Sequence, residues 1–286
     1  MSLTIGLYAA NMHAAAGPHG AARIAALAES LGYDSLWVAD HVVLPSPRVE
    51  PSPMDPDEHL LDPLVSLSYL AGATSRIRLG TGCVVLPQRN PLILAKQLAS
   101  VDILSGGRLL FGAAAGYLLP ELRALGVRPA GRGERANECL EAILSLWYDE
   151  KPAFHGNHVD FDGVDAYPRP VQQPVPVVIG GHSRAAHRRA VTYADEWFGF
   201  MLGLRATAEQ LRALEAVTLD LKRDEPLRIS VSPARRLNPE VVCSFADLGV
   251  HRLVVAPPPR LTLLELERFV ERHAPERLGA TPYAAP

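Results

Sequence analysis

Asp40 and His41 stand side by side at the end of an apolar run, in the stretch YDSLWVADHVVLP between residues 33 and 45. An imidazole exchanges a proton near neutral pH, and a neighbouring carboxylate can orient or charge it. The same pair would serve as a loop cap and a structural hydrogen bond, and adjacency alone does not choose between the two. Three further stretches carry residue types suited to a ligand. In IRLGTGCVVL, Gly80 and Gly82 interrupt aliphatic residues, with Cys83 following; glycine inside a strand marks a bulge, a packing kink or the close approach of a ligand. FGAAAGY runs through minimal side chains from Gly112 to Gly116 and ends in Tyr117, which leaves room for a ligand or makes a tight strand end. VVIGGHSRAAHRRA puts Gly180, Gly181, His182 and Ser183 before a helical run. Free backbone N–H groups, a hydroxyl cap and the helix dipole favour an anion there, although two glycines before a helix also make an ordinary turn.

These residues need elements to hold them. Short runs rich in Val, Ile and Leu alternate with longer segments at helical spacing, the pattern of βα units around a parallel sheet. Strands are expected at 3–9, 35–40, 77–86, 108–114, 175–180, 196–202, 227–232 and 252–257. Helices are expected at 20–31, 63–75, 91–104, 132–147, 183–194, 207–223, 238–248 and 263–274, several closed by a glycine such as Gly32, Gly106 or Gly249. Eight such pairs predict an α/β fold of the TIM-barrel, or (β/α)8, type. An open doubly wound sheet announces its nucleotide site by GxGxxG after the first strand, and here that strand leads into ANMHAAAGPHG. Extended loops are expected at 41–62 and 115–131, after strands 2 and 4, and FHGNHVDF reads as a small hairpin inserted before strand 5. No linker or repeat divides the chain, so residues 1–286 are expected to form a single domain.

Composition narrows the function classes. With 28 basic and 31 acidic residues in 286, and 48% hydrophobic residues, the chain can bury a large core and offers no electrostatic footprint for nucleic acid. Three dispersed cysteines, Cys83, Cys139 and Cys243, without CxxC or Cys/His spacing, indicate neither a disulfide framework nor a structural zinc site, and suit a reducing cytoplasm. No secretory signal and no apolar run approaching the ~18 residues of a membrane span are present, so a cytoplasmic protein is expected. The ten histidines show no HxH or HExxH grouping and the chain has no GxSxG, which disfavours a barrel metallohydrolase and leaves no metal site expected.

Taken together, LGYDSLWVADHVVLP, the run from DPLVSLSYLAGA through LLFGAAAGY, RGERANECLEAILSLW and PVPVVIGGHSRAAHRRA resemble the luciferase-like monooxygenase superfamily, in particular its branch of coenzyme F420-dependent oxidoreductases. The resemblance covers about residues 20–200, with motifs in order at matching separations. It implies a barrel that binds F420, or alternatively FMN, at its C-terminal mouth. By the same likeness His41 is the active-site histidine with Asp40 beside it, and Gly82 and Cys83 form a bulge with a non-proline cis peptide behind the cofactor ring. Gly112, Gly116 and Tyr117 lie near the cofactor, and Gly180, Gly181, His182 and Ser183 lie at its phosphate. Two positions depart from the pattern: Ala114 stands where relatives often have the middle glycine of GxGxG, and Tyr117 where they often have an acidic residue or Trp.

The function implied is F420-dependent hydride transfer to or from a small organic substrate. An FMN-dependent two-component monooxygenase and a non-catalytic cofactor-binding protein of the same fold are the alternatives. A homodimer is expected by the same likeness.

Overall fold

The computed structural model describes residues 3–283. Eight parallel strands close on themselves: β1 (Thr4–Leu7), β2 (Ser35–Val38), β3 (Arg78–Thr81), β4 (Leu109–Ala114), β5 (Val177–Gly180), β6 (Glu196–Leu202), β7 (Arg228–Pro233) and β8 (Arg252–Val255). Each pairs with the next in sequence, β3 meets β4 with Leu79 beside Leu109 and Gly80 beside Leu110, and β8 returns to β1 with Arg252 beside Thr4 and Val255 beside Leu7. The fold is therefore a (β/α)8 barrel, as the alternating pattern predicts. Strands β2, β5 and β8 are buried along their whole length, which is why they read as continuous apolar runs instead of alternating ones.

The outer helices are α1 (Pro18–Ser30), α2 (Pro63–Ala73), α3 (Pro91–Ser105), α4 (Arg132–Tyr148), α5 (Arg184–Tyr193), α6 (Leu204–Asp220), α7 (Pro239–Asp247) and α8 (Leu263–Arg272). Their starts follow from local chemistry. Asp62 and Asn90 each accept two backbone N–H bonds ahead of a first-turn proline, and Thr262 with Glu265 forms a reciprocal capping box. Gly32, Gly106 and Gly249 all hold positive φ just past a helix, as expected of left-handed caps. The hairpin is present, pairing Phe154–His155 with Asp160–Phe161. Within the loop after β4 the sequence reading missed a six-residue helix, Leu119–Ala124. At that length it presents too few apolar positions for periodicity to register.

Inside the barrel, Trp37, Leu110, Val178, Phe198 and Val254 pack together, with Tyr8 and Cys83 on their upper side. Trp37 stacks on Phe198 with ring centroids 5.4 Å apart. At the N-terminal end, Arg252, fully buried, pairs with Asp34 and with Glu196 at 2.6 Å. Those carboxylates sit at the starts of β2 and β6, so the ion pairs fix the strand starts against one another, and a cation removed there leaves two buried anions behind. No helix among the described residues is long and apolar enough to cross a membrane.

Candidate functional site

A cavity of about 1040 Å³ opens at the C-terminal ends of the strands. It is lined by ten of the eleven residues that the resemblance assigns to the site: Asp40, His41, Gly82, Cys83, Gly116, Tyr117, Gly180, Gly181, His182 and Ser183. Gly112 is placed elsewhere. It lies in the barrel wall, where its N–H and C=O bond the Thr81 hydroxyl at 2.8 and 2.7 Å, and a Cβ would come 1.7 Å from the Thr81 carbonyl oxygen. Its glycine is required by contact between β3 and β4, which a sequence motif cannot distinguish from contact with a ligand.

The Asp40–His41 pair also separates. Successive residues at a strand end project to opposite sides, and the Asp40 carboxylate turns away to accept from Arg89 at 2.7 Å and from the Val85 N–H at 2.9 Å. Burial raises its pKa despite the Arg89 guanidinium. It therefore clamps the end of β2 to Val84–Val85, the short continuation of β3 beyond the Gly82–Cys83 cis peptide, and does not orient His41.

Glu121 holds the imidazole instead. His41 Nδ1 lies 2.8 Å from Glu121 Oε2, and Glu121 Oε1 accepts the Val42 N–H at 2.6 Å. Burial alone would raise the Glu121 carboxyl, but its bonds from His41 and Val42 outweigh that and hold it below the usual range. The carboxylate thus favours a proton on Nδ1, which leaves Nε2 as the ring nitrogen available to the cavity. Tyr117 stands edge-on to His41, centroids 5.9 Å apart. Glu121 was missed from sequence because it comes from the short loop helix, 80 residues away, with no spacing signal.

Behind the cavity, the Tyr8 hydroxyl donates to the Gly82 carbonyl at 2.9 Å. Burial pushes the Cys83 thiol up to about 12, with Asp40 adding to the rise and a Gly180 N–H contact opposing it. Cys83 is therefore a neutral wall atom at neutral pH. A Cβ on Gly180 would meet its sulfur at 2.7 Å, and Gly181, at φ +127, comes within 2.8 Å of the Ala186 methyl by the same construction. Low side chains here keep the wall close to the N-terminus of α5, which Ser183 caps by accepting from Ala186 N–H. His182 Nε2 accepts from the Phe200 N–H at 3.1 Å, and burial lowers its pKa.

Two guanidiniums on this side have no carboxylate partner among the described residues. Arg189, 5% exposed, donates to Asn137 Oδ1 and the Gly133 carbonyl. Arg132 donates to the carbonyls of Gly116 and Pro129. Both line the cavity beside the first turns of α4 and α5, so its β4–β5 side is electropositive.

Five described non-glycine residues hold positive φ, and four of them line this cavity: Ala9, His13, Met201 and Arg260. Such backbone is costly for L-residues and clusters where a site dictates geometry. Away from the cavity, Glu134, Glu138 and His158 bring possible metal-ligand atoms within 4.8 Å of one another. The Glu138 carboxylate already accepts the N–H groups of Asn157, His158 and Val159, fixing the hairpin turn.

A sequence model of the luciferase-like monooxygenase family matches residues 2–236. The chain is 32% identical over 269 residues to an uncharacterized protein of Mycobacterium tuberculosis, covering 90% of this chain and 92% of that one. It is 34% identical over 166 residues, 57% of this chain and 46% of the other, to the F420-dependent glucose-6-phosphate dehydrogenase of Kineococcus radiotolerans. An FMNH(2)-dependent dimethylsulfone monooxygenase of Pseudomonas putida is 31% identical over 160 residues, 53% of this chain and 44% of that one. Among solved structures, an F420-dependent secondary alcohol dehydrogenase in complex with an F420-acetone adduct superposes with a TM-score of 0.76 at 17% identity, over 97% of this chain and 99% of that one.

Proposed function

The chain belongs to the luciferase-like monooxygenase family, and from that premise we propose that it is an F420-dependent oxidoreductase passing hydride to or from a small organic substrate, with His41 handling the accompanying proton. The observation that carries this reading is the pairing within one cavity of an imidazole held by a buried carboxylate with an electropositive wall. The similarity to an F420-dependent dehydrogenase supports the choice of cofactor.

The residues present fit such a group. Arg132, Arg189 and the N–H groups at the starts of α4 and α5 would hold its anionic arm, since Arg189 is a buried cation that no protein carboxylate neutralises among the described residues. Gly82, Cys83 and Gly180 would back its ring. When bound, a deazaflavin supplies a ring carbon that gives or accepts hydride. His41 Nε2 holds the proton that the substrate oxygen gains on reduction or loses on oxidation. Glu121 fixes the tautomer and steadies the charged imidazole, as an acidic partner does for a general acid–base histidine. Asp40 and Arg89 act by position, tying β2 to the strand behind the ring.

His41→Ala tests the assignment: turnover is expected to be lost while cofactor affinity stays within roughly tenfold, or ~1.4 kcal/mol, and parental turnover would remove His41 from the role. The similarity to an FMNH(2)-dependent monooxygenase favours FMN as a second reading; the two cofactors separate in a binding titration. We further propose a cytoplasmic homodimer, supported by exposed Val65, Ile93 and Leu104 on the adjacent helices α2 and α3. Sedimentation as a monomer at micromolar concentration would remove it.

A further inference from the structure

We propose that the substrate arm of this cavity takes an uncharged, largely apolar molecule that offers one polar oxygen to His41; the proposal rests on the redox reading above. Charge is balanced differently on the two sides of the mouth. The loops after β8, β1 and β2 are neighbours around the barrel and lie across from those after β4 and β5. On their side every formal charge lining the cavity has an opposite. Arg260 bonds Asp55 at 2.7 Å and Glu58 at 2.9 Å, Arg48 bonds Asp55 at 3.2 Å, and His13 Nδ1 lies 2.8 Å from Glu58. Two guanidiniums thus meet two carboxylates, and a charged substrate would displace one group and leave its partner unbalanced.

This closure is built into the backbone. His13 at φ 50 and Arg260 at φ 60 hold left-handed conformations, a cost accepted where the side chain has to be aimed, and both side chains reach Glu58. Between the ion pairs the lining is apolar, with Met12, Pro53, Met54, Pro257 and Pro259. Phe200 and Met201, 37% and 50% exposed, also border the cavity. Apolar surface left open in a concavity is what an apolar ligand covers. The uncompensated cations, Arg132 and Arg189, lie on the β4–β5 side, so the site's appetite for an anion is directed at the cofactor arm and not at the substrate.

Three matched probes test the inference: 4-phenylbutan-2-one, its para-carboxylate and its para-trimethylammonium analogue. Binding of each is measured by calorimetry on the parent protein, with and without cofactor. The neutral ketone is expected to bind at least about tenfold more tightly than either charged analogue. In the Asp55→Asn/Glu58→Gln variant, which leaves Arg48 and Arg260 without those carboxylates, the para-carboxylate is expected to gain about tenfold while the neutral ketone stays within about twofold. Arg48 and Arg260 are exposed and Asp55 is partly so, and ion pairs of that kind contribute little to folding, so Asp55→Asn alone gives a smaller shift in the same direction if the double variant is unstable. Equal binding of neutral and charged probes, no binding of any, or no response to the substitutions overturns the proposal. Cofactor binding is read separately: failure to bind both F420 and FMN sinks the redox reading, while the ranking of the ketones on cofactor-free protein still decides the charge argument.

Discussion

Replacing Glu121 with glutamine removes the charge that the buried carboxylate presents to His41 and one of its two acceptor oxygens. His41 Nδ1 and the Val42 N–H lie 2.8 and 2.6 Å from separate carboxylate oxygens, so the single amide oxygen can accept from His41 Nδ1 only with the amide NH2 turned toward the Val42 N–H. A hydrogen bond to a charged group contributes about 1.5–3 kcal/mol and a neutral one about 1 kcal/mol. The difference, about 1.2 kcal/mol at the centre of those ranges, is the stabilisation of the contact with His41 that the variant loses, or close to tenfold in rate. Screening takes little of it, because the Glu121 side chain is 2% exposed. In steady-state turnover of a neutral ketone with reduced cofactor, kcat of Glu121→Gln should fall about tenfold with cofactor Kd within about twofold. His41→Ala should lose about 10²–10⁴. The double variant should lose no more than His41→Ala alone, because Glu121 acts only through His41. Independent, multiplying losses, or a Glu121→Gln enzyme as active as its parent, would refute the coupling.

Arg189→Met should weaken a phosphate-bearing deazaflavin about tenfold or more while leaving its phosphate-free chromophore unaffected; fluorescence titration with both compounds checks this, and equal effects on the two would count against an anion site. Burial tends to raise Glu29, Glu138 and Asp34, but backbone N–H groups around the first two and Arg252 beside the third hold all three, like Glu121, below their ordinary values. Folded values below unfolded ones mean stability that is present above the unfolded carboxylate range and lost as pH falls from there through the lower folded values, so melting temperature should hold near neutrality and decline on acidification below about pH 4.5. Glu29→Gln should flatten that decline, and an unchanged slope would remove Glu29 from it. Gly112→Ala forces a methyl against the Thr81 carbonyl and should cost about 1–3 kcal/mol in urea unfolding; a neutral result would mean the β3–β4 contact relaxes freely.

The barrel was legible because buried parallel strands must be apolar throughout and their helices must not be. The chain meets both demands from LTIGLYA to RLVVAP. Strand ends were read too long, as at 77–86, where β3 stops at Thr81 and resumes only for Val84–Val85 after the Gly82–Cys83 bond. Apolar composition continues through that break, so nothing in it marks where the ladder stops. The residues around the mouth were found from local features: small side chains, a strand end, a glycine pair. Partnerships were not, since they join distant segments. Asp40 was matched to His41 by adjacency, yet it faces Arg89, while His41 faces Glu121. The clasp of Arg260 with Asp55 and Glu58 spans about two hundred residues, and only the closing of β8 against β1 brings it together.

The central claim, a barrel that binds a deazaflavin for hydride chemistry, is tested most directly by titrating the purified protein with F420 and with FMN and following fluorescence. The account predicts saturable one-to-one binding of F420, retained in His41→Ala and weakened in Arg189→Met. Saturable binding of FMN without F420, or of neither, would contradict it.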